Sequence, residues 1–353
     1  MSVLITGITT AIALAFALAL LDQWRVRRQS FQLAWAIGML FFGIASGCEA
    51  IAAANGWNEL LYRTWYLTGA VWTAGWLGLG TAFLLGRTRF GYAFAFCLLL
   101  AGLFTFLTQR RYNYEGAGNA PIIYLGAAGV LALAVAVETY FQGNRWPRIA
   151  ALAVVGASVL SVGLMLTTTL AAPGWKVDPS TNAPVADLLP GTLRLLTPFL
   201  NITGGLALAF GAVFSAYVFM PKRRILDYSL DPSQPGDQFL FNLAISPVAI
   251  TVNFVASLPR AVQALLAGRL HSRVPATILI AIGAFLASSG DILARFGATE
   301  FFLLGKLVAV VFLFVGFLVS VEAFNEWRVP FTRIVLLRRR AEPAPTGESQ
   351  PGT

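Results

Sequence analysis

The chain contains repeated apolar stretches that are each long enough to cross a lipid bilayer. A helix rises about 1.5 Å per residue and the hydrocarbon core is about 30 Å thick, so about 20 apolar residues can span it. Of the 353 residues, 57% are hydrophobic and only 12% are charged, whereas soluble domains carry about 25% charged residues. The sequence therefore predicts an all-α polytopic membrane protein of the cell membrane.

We predict about nine transmembrane helices. They cover residues 3–21, 31–53, 62–85, 90–107, 121–141, 149–171, 195–220, 276–289 and 301–323. No basic residue precedes the first stretch, whereas Arg25, Arg27 and Arg28 follow it. We therefore expect an uncleaved first helix with its N-terminus outside. With this orientation, 18 of the 25 basic residues fall in inner loops, 6 fall on the outer side and one lies within a span. Because cytoplasmic loops carry the excess of Lys and Arg, this bias favours nine crossings and a cytoplasmic C-terminus.

The predicted spans divide the chain into four parts. Residues 1–220 form a seven-helix membrane bundle, 221–275 a cytoplasmic loop, 276–340 two further transmembrane helices with a basic cytoplasmic end, and 341–353 a disordered tail. Within the loop, residues 239–258 are apolar but contain Asn242, Pro247 and Asn253. We expect this segment to be an interfacial or re-entrant helix, followed by an amphipathic helix over 260–270 on the inner surface. The outer loop 172–194 contains four prolines, which predicts an ordered or lid-like loop without long helices.

The residue types that are scarce in this chain argue against several chemistries. The single histidine, His271, lies in the inner loop, and the two cysteines, Cys48 and Cys97, lie in separate predicted spans. Haem, copper and iron–sulfur sites usually depend on such residues in clusters. No nucleotide-binding, hydrolase or kinase motif is present in the sequence. We therefore assign no catalytic residue, no metal ligand and no cofactor.

The net charge of +9 has a topological origin. The basic residues form short clusters between apolar stretches, and such clusters orient membrane proteins. They also attract anionic lipid head groups at the cytoplasmic face. No loop supplies a basic face large enough for a nucleic acid, so membrane lipids and other membrane proteins are the expected partners.

Polar residues at membrane depth are the main functional signal, because charged groups there are unfavourable and often functional. Six of them are predicted to lie in the outer half of the membrane and to form an outer polar cluster: Glu49, Arg63, Asp291, Arg295, Glu300 and Lys306. Lys306 either extends its ammonium group to the outer surface or forms a buried ion pair. Glu300 is six residues away on another helix face, so Glu49 or Asp291 is the expected partner.

The seventh predicted span contains a candidate kink. Pro198 interrupts the helical hydrogen bonding, and Asn201 and Thr203 follow it together with Gly204 and Gly205. Backbone groups freed at such a kink can line a binding site. An ordinary proline-bent helix is the alternative.

Two classes of function fit these features. The first is a non-enzymatic membrane module, which would be a sensor, a scaffold or an accessory subunit of a larger complex. The second is a small-solute or ion transporter that uses the outer polar cluster. No internal repeat relates the two halves of the chain, and this weakens the case for transport.

A third hypothesis concerns Lys306 alone. A lysine in the last span of a chain with an outer N-terminus resembles the arrangement in microbial rhodopsins, which implies a retinal Schiff base at Lys306. This chain departs from that family in having nine predicted spans and no carboxylate between Trp65 and Leu85 in the third span. We therefore assign no family on this resemblance.

Overall fold

The computed structural model describes residues 2–141, 144–179, 183–231, 233–295, 300–320, 326–328, 330–332 and 334–338. The side chains of residues 2, 288–295, 300–302, 326–328 and 335–338 are outside this description. The predicted disordered tail, 341–353, and the last residues of the ninth predicted span, 321–323, also lie outside the described residues.

The described chain is almost entirely helical. The α-helices are α1 (Ser2–Arg27), α2 (Ser30–Asn55), α3 (Glu59–Trp65), α4 (Thr73–Leu84), α5 (Phe90–Tyr112), α6 (Ala120–Tyr140), α7 (Trp146–Thr167), α8 (Gly191–Phe219), α9 (Gly236–Leu266), α10 (Arg273–Arg295) and α11 (Glu300–Val319). A π-helical segment, Tyr66–Trp72, joins α3 to α4 without a break, and a 3₁₀ turn covers Ala186–Leu188. Two short antiparallel strands, β1 (Glu326–Arg328) and β2 (Val335–Arg338), follow the last helix.

Eight helical units are long and apolar enough to cross a membrane by length and composition. They are α1, α2, the continuous unit from α3 to α4, and α5 to α9, whereas the described apolar parts of α10 and α11 are shorter. These are the features of a helical multi-pass membrane protein, as predicted. Length and composition alone give eight spans and not the predicted nine, because they include α9 and leave out α10 and α11. The predicted nine crossings require that α9 does not cross and that α10 and α11 both do.

Glycine contacts show how the two central helices, α4 and α8, are oriented. A Cβ on Gly78 of α4 would lie 2.4 Å from the Cα of Gly204 in α8, and a Cβ on Gly75 would lie 3.3 Å from Leu200. A Cβ on Gly211, farther along α8, would lie 2.2 Å from the methyl group of Thr81. The two helices therefore run parallel in close contact. Small residues permit such an approach of backbones in lipid, where dispersion contacts hold helices together.

The bundle has two distinct ends. One end, called the outer end here, carries the loop that follows α7. The Tyr62 hydroxyl of α3 donates a hydrogen bond to the Val185 carbonyl of this loop, and Val177 pairs with Pro184 in an isolated bridge. In its described residues, 172–179 and 183–190, this loop holds the 3₁₀ turn and no long helix, as predicted. The opposite end, called the basic end, carries the turns α1–α2, α4–α5 and α6–α7.

Both ends of α9 contact the basic end of the bundle. Near its start, the Phe239 ring packs edge-on against Tyr92 and Tyr140, with ring centroids 5.9 and 5.5 Å apart. Tyr92 lies at the start of α5 and Tyr140 at the end of α6. Near its own end, Ala261 packs in one buried cluster with Tyr217 of α8 and Val274 of α10. The helix, about 46 Å long at 1.5 Å per residue, therefore lies across the basic end.

The prediction of two helices over 239–258 and 260–270 was wrong, because α9 is a single helix that continues through Pro247 and Pro259. A proline leaves the carbonyl four residues earlier without its helical partner. At Pro247 that carbonyl belongs to Leu243, and it accepts a hydrogen bond from the Ser246 hydroxyl at 3.0 Å. The side chain thus replaces the missing backbone donor, and the helix does not end there.

Candidate functional site

A buried ion pair joins α2 to α11 near the outer end. The Lys306 Nζ lies 2.7 Å from Oε1 of Glu49, and the same oxygen accepts a hydrogen bond of 2.9 Å from the indole N–H of Trp65 in α3. The Glu49 side chain is 8% exposed and that of Lys306 is 21% exposed. One carboxylate therefore links three helices, and its two donors offset the loss of water around its charge. Of the two alternatives for Lys306, the structure shows the ion pair with Glu49.

Aromatic packing holds α11 against α1 and α2 on the basic side of this ion pair. The Phe16 ring of α1 stacks on Phe314 with centroids 4.8 Å apart and also contacts Phe317 at 5.2 Å. The Trp35 ring of α2 packs edge-on against Phe317 at 4.4 Å. Its indole N–H donates to the Leu77 carbonyl of α4 at 3.0 Å. This packing keeps the α11 backbone in register with α2, so that Lys306 meets Glu49.

Arg63, which the sequence placed in the outer polar cluster, makes its described contacts elsewhere. Its guanidinium group lies 2.6 Å from the Glu59 carboxylate, one helical turn away. It also donates to the Met165 and Thr168 carbonyls at 2.5 and 2.8 Å. These are unpaired carbonyls at the end of α7, which a cation stabilises. Arg63 therefore joins α3 to α7 and is not a partner of the Glu49–Lys306 pair.

The other members of the predicted cluster belong to the end of α10 and the start of α11. Asp291 and Arg295 are in the last turns of α10, and Glu300 is the first residue of α11. Their side chains are outside the described part of the structure. Their participation in the cluster stays a prediction.

The candidate kink region is continuous helix. Pro198 lies inside α8, which extends unbroken from Gly191 to Phe219. The Thr203 hydroxyl donates to the Phe199 carbonyl of its own helix at 2.7 Å, and Thr203 is buried. Asn201 is partly buried on the same helix. A binding role for Pro198, Asn201 and Thr203 stays a prediction.

The irregular element near the ion pair is the π-helical segment Tyr66–Trp72, which the sequence did not predict. Its end is closed by Thr73, whose hydroxyl donates to the Thr68 carbonyl at 2.7 Å. A π-turn inserts one residue into a helix and occurs often at functional sites. The insertion shifts the facing of α4 relative to α3, so that Trp65 faces Glu49 while Thr73 faces the centre of the bundle.

A small cavity of about 80 Å³ lies beside Thr73. Its lining comes from five helices: Met39 and Phe42 of α2, Thr73, Ala74 and Leu77 of α4, Gly205 and Leu208 of α8, Ala284 and Ala287 of α10, and Ala309, Val310 and Leu313 of α11. The Thr73 hydroxyl is the one polar side-chain group in this lining. The cavity lies about two helical turns from Glu49 along α2, that is, about 10 Å deeper. It is suited to a small apolar group and not to an ion.

No group of three or more His, Cys, Asp or Glu residues that could hold a metal ion is present among the described residues. Cys48 and Cys97 are buried and unlinked. No protein-family model, curated protein or solved structure matches this chain. The case for a function therefore rests on the geometry alone.

Proposed function

We propose that the protein is a non-catalytic, multi-pass cell-membrane protein that serves as a scaffold or accessory subunit of a larger membrane complex. The observation that carries this proposal is the outward face of α6 and α7. Four glycines on these helices, Gly126, Gly129, Gly156 and Gly163, have open space where a Cβ would lie. Large apolar side chains next to them, such as Val159, are exposed.

These glycines differ in their surroundings from most of the helical glycines in the bundle interior. A Cβ on Gly43, Gly78 or Gly204 would collide with a neighbouring helix, so each of those positions is occupied by a close contact. Glycine within a helix is unfavourable by about 0.5–1 kcal/mol relative to alanine unless it permits packing. Small residues on a lipid-exposed face are the feature that lets a second transmembrane helix approach. The face of α6 and α7 is therefore suited to a partner helix.

The polar residues at membrane depth support the same proposal. Glu49 binds both Trp65 and Lys306 and so holds three helices together. Binding sites for drug-sized molecules occupy about 300–1,000 Å³, whereas the cavity beside Thr73 measures about 80 Å³. Among the described residues, the ion pair does not face a cavity of the size that a ligand needs. A structural role accounts for its burial.

We further propose nine membrane crossings, with the N-terminus outside and the C-terminus cytoplasmic. In this topology α9 lies in the interface at the cytoplasmic side and does not cross. The support comes from the contacts of Phe239 and Ala261, which are both at the basic end, and from the distribution of basic residues. The nine crossings are then α1, α2, the α3–α4 unit, α5 to α8, α10 and α11.

Photo-crosslinking in the native membrane tests the scaffold proposal. A photoreactive amino acid at Val159 should give a discrete protein adduct, and Gly163→Leu should abolish it by blocking the close approach. Leu103 on α5 is the matched control, because it is also apolar and exposed but has no open glycine beside it. Identical lipid-only labelling at Val159 and Leu103 would contradict a partner helix at this face.

Transport of a small solute or ion is the second candidate. The cavity next to the π-helical segment favours only a small apolar solute, because its lining is apolar apart from Thr73. A transporter must open this cavity to water from the outer side. Ala309→Cys in the cavity wall should then react with a membrane-impermeant thiol reagent added outside. The wild-type protein, whose two cysteines are buried, gives the background level of labelling. Absence of reaction would favour the scaffold role.

A Schiff base at Lys306 has the least support. The Lys306 ammonium is engaged by Glu49, and the cavity two turns away is small. A visible absorption band that hydroxylamine removes would be the evidence for such a group.

A further inference from the structure

The α9 helix has two different long faces. Its polar side chains bind the extended segment 221–231, which runs antiparallel to the helix. The Ser257 hydroxyl accepts from the Arg223 N–H at 2.8 Å, and Asn253 accepts from the Ile225 N–H at 2.7 Å and donates to the Leu226 carbonyl at 2.7 Å. Asn253 and Ser257 are fully buried under this segment.

The other face of α9 is apolar and exposed. Val248, Val255 and Val262 are spaced by seven residues on one side of the helix, and each is more than half exposed. Leu265 and Leu266 continue this side to the end of the helix and are also exposed. Because α9 lies at the level where α5, α6, α8 and α10 begin or end, this face is at the depth of the membrane interface. Amphipathic helices in that position insert their apolar face into the head-group region.

Basic groups gather where α9 meets the segment after α8. The Arg260 guanidinium donates to the Lys222 carbonyl at 2.7 Å, which places both residues together, and Arg224 is two residues after Lys222. All three are exposed. No carboxylate of the described residues forms an ion pair with any of them, since the described ion pairs involve Arg63, Lys176, Arg194 and Lys306.

The charges in this group repel one another. Partial burial, together with the nearby Arg224 charge, lowers the pKa of Lys222 below its ordinary value. A lysine in such surroundings gains stability from an anion that neutralises the group. Val262, Leu265 and Leu266 follow Arg260 on the same helix and form its exposed apolar end.

We propose that Lys222, Arg224 and Arg260 bind the phosphate group of an anionic phospholipid, while the exposed apolar end of α9 contacts its acyl chains. Three basic residues in one region of the surface supply several donors for a phosphate, and the Lys222 ammonium lies over the Tyr217 ring, 5.6 Å from its centroid. The adjoining apolar residues favour a lipid over free phosphate, because a free anion gains nothing from them. This site rests on the proposed interfacial position of α9, and it does not depend on the proposed partner face of α6 and α7.

Native mass spectrometry of the full-length detergent-purified protein tests the site. Phosphatidylglycerol should bind more tightly than phosphatidylcholine with the same acyl chains. The double variant Lys222→Gln/Arg260→Gln should weaken phosphatidylglycerol binding by about 25-fold, at about fivefold for each basic residue removed. The matched control Arg110→Gln/Arg111→Gln removes two exposed arginines of the outer end and should leave binding unchanged.

Three further measurements separate the alternatives. The charge-conserving variant Lys222→Arg/Arg260→Lys should retain binding, which distinguishes loss of charge from misfolding. Leu265→Gln/Leu266→Gln should weaken binding of long-chain lipid and have little effect on a short-chain analogue. Equal losses in the site and control variants, displacement of the lipid by millimolar inorganic phosphate, or retention of an acidic protein in place of lipid would each overturn the proposal.

Discussion

Replacing Lys306 with methionine is the most direct perturbation of the Glu49–Lys306 pair. Methionine keeps the length and apolar part of the side chain but removes the ammonium group 2.7 Å from the carboxylate. Glu49 then remains 8% exposed with the Trp65 indole as its described donor. We expect the variant to be destabilised, because a buried carboxylate has lost its counter-charge.

The structure sets the size of this effect. Removing one partner of a fully buried ion pair destabilises a protein by about 3–5 kcal/mol. Lys306 is one-fifth exposed, so solvent screens part of its interaction, and Trp65 still donates to Glu49. We therefore expect a loss of about 2–3 kcal/mol. The charge-swapped protein Glu49→Lys/Lys306→Glu should recover part of this loss, but not all of it, because the Trp65 N–H then faces a cation at position 49.

The assay is thermal unfolding in a mild detergent, with wild type, single variants and the swap compared at one scan rate, because membrane proteins often unfold irreversibly. Lys176→Met is the control. Its ion pair with Asp187 is equally short, at 2.8 Å, but both side chains are about half exposed, and exposed pairs contribute about 0–1 kcal/mol. Equal melting temperatures for Lys306→Met and wild type, or no recovery in the swap, would refute a stabilising buried pair.

Two other predictions concern topology and packing. Cysteines placed at Asp237 and Arg260, at the two ends of α9, should both react with an impermeant reagent from the cytoplasmic side; reaction from opposite sides would show that α9 crosses. Gly78→Ala should lower stability by about 1–3 kcal/mol, because its Cβ would lie 2.4 Å from Gly204. Gly126→Ala, with open space around it, should not lower stability and should raise it by about 0.5–1 kcal/mol; equal losses for the two variants in thermal unfolding would contradict the close α4–α8 contact.

The helices of the bundle could be predicted because hydropathy and length determine them locally. The first seven predicted spans each coincide with a helix or a continuous helical unit. The eighth and ninth correspond to α10 and α11. These predictions depend only on neighbouring residues, since a segment in lipid must satisfy its own backbone hydrogen bonds.

Features that depend on distant residues were predicted less well. Glu49 and Lys306 are 257 positions apart, and the sequence could offer Glu49 only as one of two partners. Arg63 was placed with them by depth alone, but the carbonyls at the end of α7 and the i,i+4 neighbour Glu59 hold it elsewhere. The spacing of Glu59 and Arg63 was the local signal that could have shown this.

The polar side chains of α9 have a role that the sequence did not reveal. Asn242, Pro247 and Asn253 were taken as signs of an interfacial or re-entrant helix over 239–258. In the structure Asn253 binds the backbone of the extended segment that precedes α9. A polar residue is needed there because this segment packs over the helix. No local pattern identifies that packing, because residues 221–231 have no helical or strand periodicity of their own.

The contact of α11 with α1 and α2 combines apolar packing with a polar contact near each end. Phe16 and Phe317 pack in its middle, and Glu49 binds Lys306 near the outer end. At the basic end, Asp22 of α1 accepts a hydrogen bond of 3.0 Å from the Phe331 N–H between the two strands. Apolar surfaces alone give little preference for one register in lipid, since acyl chains are as apolar as the side chains. Glu49 therefore favours one register of α11, whereas Asp22 holds the strand segment that follows it. A partner or lipid that disturbed Glu49 would act on α11 first.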